Sequence, residues 1–192
     1  MSELTKRLPR EFKRYWEPFI GGGALFFHVG PADAYIADTN RELIDTYRVV
    51  RDEVDALIEE LQTHYYDEGY YYSVRGWDRK SDYPQLPAVK RAARFIYLNK
   101  TCFNGLFRVN SKGQFNVPFG DYSNPKILDI SHLKECSALL QGTEIAHGDY
   151  GDIVEGVSRG DFVYFDPPYA PLSVTSSFTS YTSQGFRGAD QE

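Results

Sequence analysis

The chain has 192 residues, enough to bury one good core, and its 42% hydrophobic content is that of a globular protein. No apolar run is long enough to span a bilayer and no stretch reads as a signal peptide, so a membrane protein is not expected. The two cysteines, Cys102 and Cys136, lie far apart, and the four histidines form no ligand cluster, which predicts a reducing cytoplasm and no metal site.

Residues 14–20 read as a first strand, followed by a glycine loop and a helix from Ala24 to Val29 that Pro31 terminates. Ala34–Ala37 is a second short strand ending at Asp38. Asn40 is placed to cap the next helix, which carries Leu43, Ile44 and Tyr47 on one face. A further amphipathic helix uses Val54, Leu57, Ile58 and Leu61. Residues 63–87 are rich in Tyr, Asp, Gly and Pro, as in loops and short helices. Ala88–Lys100 reads as a helix, and residues 103–122 as a hairpin that turns at Asn110-Ser111-Lys112-Gly113. Glu144–Ala146 and Phe162–Phe165 are a third and a fourth strand. Strands alternating with helices predict an α/β, doubly wound sheet. Residues 1–54 and 136–192 would form it, with a helical and hairpin insertion at 55–135.

The net charge of −6 is unevenly spread. Between Arg79 and Lys126 stand nine basic residues (Arg79, Lys80, Lys90, Arg91, Arg94, Lys100, Arg108, Lys112 and Lys126) against Asp82 and Asp121. That segment is +7 and the remainder −13. Its basic residues are interleaved with Asn, Gly and aromatics. A local basic face of this kind suits phosphate contact, although a solvated helix face has the same composition.

Two motifs carry chemistry. Asp166-Pro167-Pro168-Tyr169 follows the fourth strand, at the sheet edge where open α/β proteins bind ligands. The Asp166 carboxylate and the Pro167 carbonyl can accept hydrogen bonds from a planar exocyclic amine, and Tyr169 offers a face for a base to stack on. Taken alone, the same four residues could be an ordinary proline-rich turn. The second motif is Glu17-Pro18-Phe19-Ile20-Gly21-Gly22-Gly23, which lets the backbone approach a ligand closely. It lacks the Gly-Lys-Ser/Thr of a phosphate loop and the spacing of a dinucleotide fingerprint.

Together these motifs resemble the Dam-type (D12 class) S-adenosylmethionine-dependent DNA adenine-N6 methyltransferases. The resemblance continues through Leu98–Arg108 and Phe115–Gly120, and so covers nearly the whole chain. It implies a Rossmann-like methyltransferase sheet with an inserted target-recognition subdomain. It also implies methyl transfer from S-adenosyl-L-methionine to N6 of an adenine flipped out of duplex DNA, at a GATC-like site. Asp166, Pro167 and Tyr169 would hold the target base. Phe19, Gly21 and Gly23 would approach the cofactor, with Asp38 on its ribose, Asp149 on its adenine amine and Tyr150 against its ring. Asp38 and Asp149 could also serve only as helix caps. Glu17 would either touch the cofactor or brace the loop. In the hairpin, Phe103 and Asn104 would probe the base stack, and Leu106 and Pro118 would contact base edges. Arg108 would take a guanine, Lys112 a phosphate, and Tyr122 a phosphate or an interface. A cognate restriction endonuclease is a candidate partner.

The chain departs from that pattern in three places. Asp121 stands where many relatives carry a basic residue. The family's Lys-Trp-x-Gly-Gly-Lys opening would lie before Met1, and further strands would follow Tyr169. These departures lead us to expect a fragment that is poorly soluble and inactive by itself. Three alternatives stay open: cytosine-N4 methylation, methylation of a protein amide, and a non-catalytic DNA-binding remnant. The Asp-Pro-Pro-Tyr geometry suits an adenine or a cytosine amine, and Asp166 argues against the amide substrate.

Overall fold

The computed structural model describes residue 4, residues 6–151 and residues 155–167. Its centre is a parallel sheet of β1 (Tyr15–Glu17), β2 (Ala34–Asp38), β3 (Glu144–His147) and β4 (Phe162–Val163), in the order β3-β2-β1-β4. The order reverses at β1, which pairs with β2 on one side and β4 on the other. The helices among the described residues are α1 (Ala24–Val29), α2 (Arg41–Asp52), α3 (Val54–Leu61), α4 (Glu68–Arg75), α5 (Ala88–Thr101) and α6 (Ile130–Leu140). The chain is thus an α/β protein built on a parallel sheet.

The pleat sorts side chains by parity. Tyr15, Ala34, Ile36 and Ile145 face the helices and join the main core with Phe26, Ile44, Leu57, Ala93 and Leu140. Trp16 and Ala37 lie on the opposite face, with Tyr35, Ala146, Val157 and Val163 packed around them. The first strand is shorter than the apolar run suggested, because Pro18 has no N–H to continue a ladder. Its neighbour β4 accordingly spans two residues, with one more backbone bond from the Tyr164 N–H to the Trp16 carbonyl at 2.8 Å.

Asn40 caps α2 as expected: its side chain accepts from the Leu43 N–H at 3.3 Å. The helix α6 has no counterpart in the sequence reading. Asp129 starts it by accepting from the His132 N–H at 3.2 Å, and Cys136 and Leu140 turn into the main core. The expected domain boundaries at 54/55 and 135/136 therefore both fall at or within helices, α3 and α6.

A second core of Tyr71, Val74, Tyr97, Leu98, Cys102, Phe115 and Val117 lies under residues 103–122. That segment is a hairpin in its path but not a regular two-stranded ladder. It is closed by antiparallel bridges between Cys102 and Phe119 and between Val109 and Phe115. Its tip turns where expected, with the Gly113 N–H donating to the Asn110 carbonyl at 2.9 Å. The Asn110 side chain accepts from the Lys112 and Gln114 N–H groups.

Candidate cofactor edge and nucleic-acid interface

The C-terminal ends of the strands gather the first group of residues. Asp38 closes β2, and its carboxylate is fixed from two sides. One oxygen accepts from the Gly21 N–H at 3.1 Å, the other from the Asn40 N–H at 2.8 Å. Burial still pushes the Asp38 carboxyl upward, against these two bonds. Gly21 and Gly23 have φ of +46° and +65°, a backbone conformation that disfavours any side chain. The Tyr47 hydroxyl ties the loop down by donating to the Gly21 carbonyl at 2.9 Å. At Gly21 and Gly22 there is open space where a Cβ would stand, so the backbone itself is accessible to a ligand.

Three aromatic rings from three strand ends meet over this edge. Phe19 lies 5.4 Å from the Tyr150 ring and 6.3 Å from the Phe165 ring. Asp149 is exposed, and its side chain accepts from the Gly151 N–H at 3.0 Å. Asp166 and Pro167 follow Phe165 at the same edge, Asp166 exposed. Tyr169 lies outside the described residues. Glu17, left between two roles by the sequence, is only 3% exposed. The Tyr15 hydroxyl donates to its carboxylate at 2.6 Å, and the Phe26 N–H donates to it as well. Burial, reinforced by the nearby Asp166 charge, pushes the Glu17 carboxyl up to about 7. Glu17 is thus buried on the face of β1 that packs against α1.

The second group sits on the hairpin. Phe103 and Leu106 are large apolar side chains about half exposed, at 49% and 48%. Between them Asn104 and Gly105 take positive φ, which makes a tight knob of the Phe103–Gly105 turn. Pro118 lies beside it, its carbonyl accepting from the Phe103 N–H at 2.9 Å. Arg108 is held across the hairpin by Asn116: its Nε donates to the Asn116 side chain at 2.8 Å and an Nη to the Asn116 carbonyl at 3.2 Å. Lys112 is exposed at the tip. The hydroxyl of Tyr122 is committed internally, donating to the Cys102 carbonyl at 2.8 Å.

The basic segment is less of a surface than its composition suggested. Arg94 is buried, and its guanidinium meets Asp78 at 2.7 Å. Arg79 pairs with Asp78 and donates to the Phe115 carbonyl. Arg91 pairs with Asp45, and Lys126 with Asp129. Asp78, one residue before Arg79, is the acid that binds two of the segment's arginines. Lys80, Lys100 and Lys112 remain exposed. Among the described residues no group of His, Cys, Asp and Glu is arranged to hold a metal, and no helix is long and apolar enough to cross a membrane.

Comparison with known proteins gives the chemistry its family. The model of the D12 class N6 adenine-specific DNA methyltransferases matches residues 1–192. This chain belongs to that family. It is 48% identical to the Type II methyltransferase M1.LlaDCHI of Lactococcus lactis subsp. cremoris, over all of this chain and 69% of the relative. It is 46% identical to the Type II methyltransferase M.MjaIII of Methanocaldococcus jannaschii, over all of this chain and 72% of the relative. A DNA adenine methylase of Vibrio cholerae is 34% identical over all of this chain and 68% of its own length. The methyltransferase family thus fits a parallel sheet edge crowded with aromatic rings and carboxylates, beside a hairpin with an apolar knob.

Proposed function

We propose that this methyltransferase binds S-adenosyl-L-methionine at the β1–β2–β3 edge of a Rossmann-like sheet and methylates N6 of an adenine flipped out of duplex DNA. The observation that carries the proposal is the convergence of Gly21, Asp38, Phe19, Tyr150 and Asp166 on one edge. The open space at Gly21 and Gly22 fits a cofactor pressed against backbone. The cofactor supplies a methyl group already activated on a sulfonium. Asp38 takes the ribose hydroxyls through the edge of its carboxylate, Phe19 lies along the methionine and ribose parts, Tyr150 packs on the adenine ring, and Asp149 accepts from that ring's amine. Asp166 and the Pro167 carbonyl accept from both N6 protons of the target adenine, with Tyr169 as its stacking face. These bonds push electron density onto the nitrogen as it attacks the methyl carbon, and Asp166 takes the proton that the nitrogen sheds. Positioning and fixed dipoles supply the catalysis.

The recognition part lies within 55–135 and the catalytic part in 1–54 and 136–192, with α5 contributing to both cores. Phe103 and Asn104 fill or probe the gap left by the flipped base, and Leu106 and Pro118 touch base edges. Arg108 reads a guanine of a GATC-like site, and Lys112 meets phosphate. Such an enzyme works in the cytoplasm, where Cys102 and Cys136 stay reduced, and a cognate restriction endonuclease is its natural partner.

The test is methyl transfer from labelled S-adenosyl-L-methionine to GATC-containing duplexes, with the products digested and separated as nucleosides. N6-methyladenine is expected, and Asp166→Ala is expected to abolish it with a smaller effect on cofactor affinity. N4-methylcytosine as the product, or a tenth of normal turnover surviving in Asp166→Ala, would overturn the assignment.

A further inference from the structure

The geometry points to Arg94 as a positioning residue that couples the cofactor edge to the DNA-reading hairpin, through Tyr83 and Glu42 on one side and Asp78 on the other. The inference rests on the functional reading above and adds a thermodynamic link between its two sites.

Arg94 lies on the second turn of α5 and is 1% exposed. A guanidinium presents five donors in a fixed fork, so several fixed acceptors around it define a single orientation. Here its Nε donates to the Val74 carbonyl at 3.1 Å, and one Nη donates to the Arg75 carbonyl at 2.9 Å. That same nitrogen lies 2.7 Å from an Asp78 oxygen. The other Nη donates to the Tyr83 hydroxyl at 3.2 Å and lies 3.6 Å from Glu42.

Both branches lead to a proposed site. The Tyr83 hydroxyl accepts from Arg94 and donates to the Glu42 carboxylate at 2.5 Å. Glu42 stands in the first turn of α2, two residues after Asn40, whose N–H holds the Asp38 carboxylate. On the other branch, the Asp78 oxygen that meets Arg94 also accepts from the Phe115 N–H at 2.8 Å. Arg79, paired with Asp78, donates to the Phe115 carbonyl at 2.7 Å. Both backbone groups of Phe115 are therefore pinned, and the next residue, Asn116, is the one that holds Arg108. Hydrogen bonds and ion pairs, joined by two short stretches of main chain (Asn40–Glu42 and Phe115–Asn116), lead from the Asp38 turn to Arg108.

Buried ion pairs add little net stability, since desolvation offsets most of the attraction, but they define geometry. A shift of the Asp38 turn when cofactor settles is passed to Phe115 by rigid, short contacts rather than through solvent. Linkage then requires that duplex binding at the hairpin tighten the cofactor by the same factor.

The experiment measures the dissociation constant of S-adenosyl-L-methionine with and without saturating cognate duplex, for wild type, Tyr83→Phe and Asp78→Asn. Tyr83→Phe keeps the ring that stacks 5.0 Å from the Arg94 guanidinium and removes only the bridging hydroxyl. Thermal melting accompanies each variant. Wild type should bind cofactor at least about fivefold more tightly with duplex, the lower end of usual coupling. In Tyr83→Phe the affinity without DNA should stay within about twofold while that enhancement falls to near one, and Asp78→Asn should act in the same direction. A purely structural role would lower the melting temperature and leave the enhancement intact. The inference is overturned if Tyr83→Phe keeps the wild-type enhancement, or if wild type binds both ligands independently. Failure of wild type to bind cofactor or duplex would instead overturn the functional reading itself.

Discussion

Replacing each glycine of the Gly21-Gly22-Gly23 loop by alanine, one at a time, should give three different stabilities from the same added methyl group. At Gly22 φ is not left-handed and nothing lies within 4 Å of the new Cβ. Alanine there restricts the unfolded chain and strains nothing, so stability should stay level or rise by about 0.4–1 kcal/mol. At Gly21 the space is equally open but φ is +46°, which should cost about 1–2 kcal/mol. At Gly23 both terms act. Its φ is +65°, and the Cβ would sit 2.8 Å from the Tyr47 hydroxyl and 3.0 Å from a Phe27 ring carbon. That hydroxyl is the far end of a rigid buried ring and holds the Gly21 carbonyl, so it cannot swing away without releasing the loop. Overpacking adds about 1–3 kcal/mol, for a total of about 2–5. Urea melts of the cofactor-free protein measure all three, so ligand contacts do not enter. A Gly22→Ala variant as damaged as Gly23→Ala would refute the reasoning, because the loop would then be rigid for some cause other than φ and the Tyr47 contact.

Three more outcomes follow from the site. Arg108→Ala should relax discrimination at one base pair by about 1–3 kcal/mol in binding to cognate and singly mismatched duplexes; an equal loss on both would remove its readout role. Lys112→Ala should weaken all duplexes alike and lower the slope of log affinity against log salt by about one. Glu17 should give a pH signature. Its folded carboxyl titrates near 7 against about 4.5 when unfolded, so the folded state holds the extra proton. Stability from this group is full below about 4.5 and lost as pH rises through about 7, on the order of 2–3 kcal/mol. His64, pushed down to about 4 by burial, contributes the opposite slope between about 4 and 6.5. The comparison of Glu17→Gln with wild type therefore isolates Glu17: the variant should gain relative stability as pH rises to 8, and parallel curves would exclude the assignment.

Local patterns carried the fold well where the physics is local. The run Ala34–Ala37 is a strand because alternate residues pack on the two sheet faces, and the Asn40 cap follows from one side chain and one N–H. The motif residues were legible as types, and their meeting at one edge followed once the strands were parallel. What escaped the sequence depends on distant partners. Arg94 counted as surface charge because the acids that bind it, Asp78 and Glu42, are brought close only by folding. The helix α6 was overlooked although Asp129 is a usual capping residue, since polar residues dilute the apolar face of Leu133, Cys136 and Leu140. The hairpin's turn was readable, but its knob depends on Asn104 at positive φ, which a sequence pattern does not announce.

The helix α5 belongs to both cores: Ala92 and Ala93 face the sheet side, while Tyr97 and Leu98, one turn later, sit under the hairpin. A graft that imports a relative's whole insertion would therefore have to repack the catalytic core as well. The natural seam lies further out, at the Cys102–Phe119 bridge, where Gly120 admits no side chain because a Cβ would come within 2.7 Å of the Cys102 carbonyl oxygen. Between those two points the exposed positions, such as Phe103, Leu106 and Lys112, can change without disturbing either core, whereas Phe115 and Val117 belong to the second core and cannot. If the proposed reading of DNA by the hairpin holds, retargeting, by evolution or by a designer, is a matter of rewriting the exposed positions within 103–118 and leaving Phe115, Val117 and the rod beneath them alone.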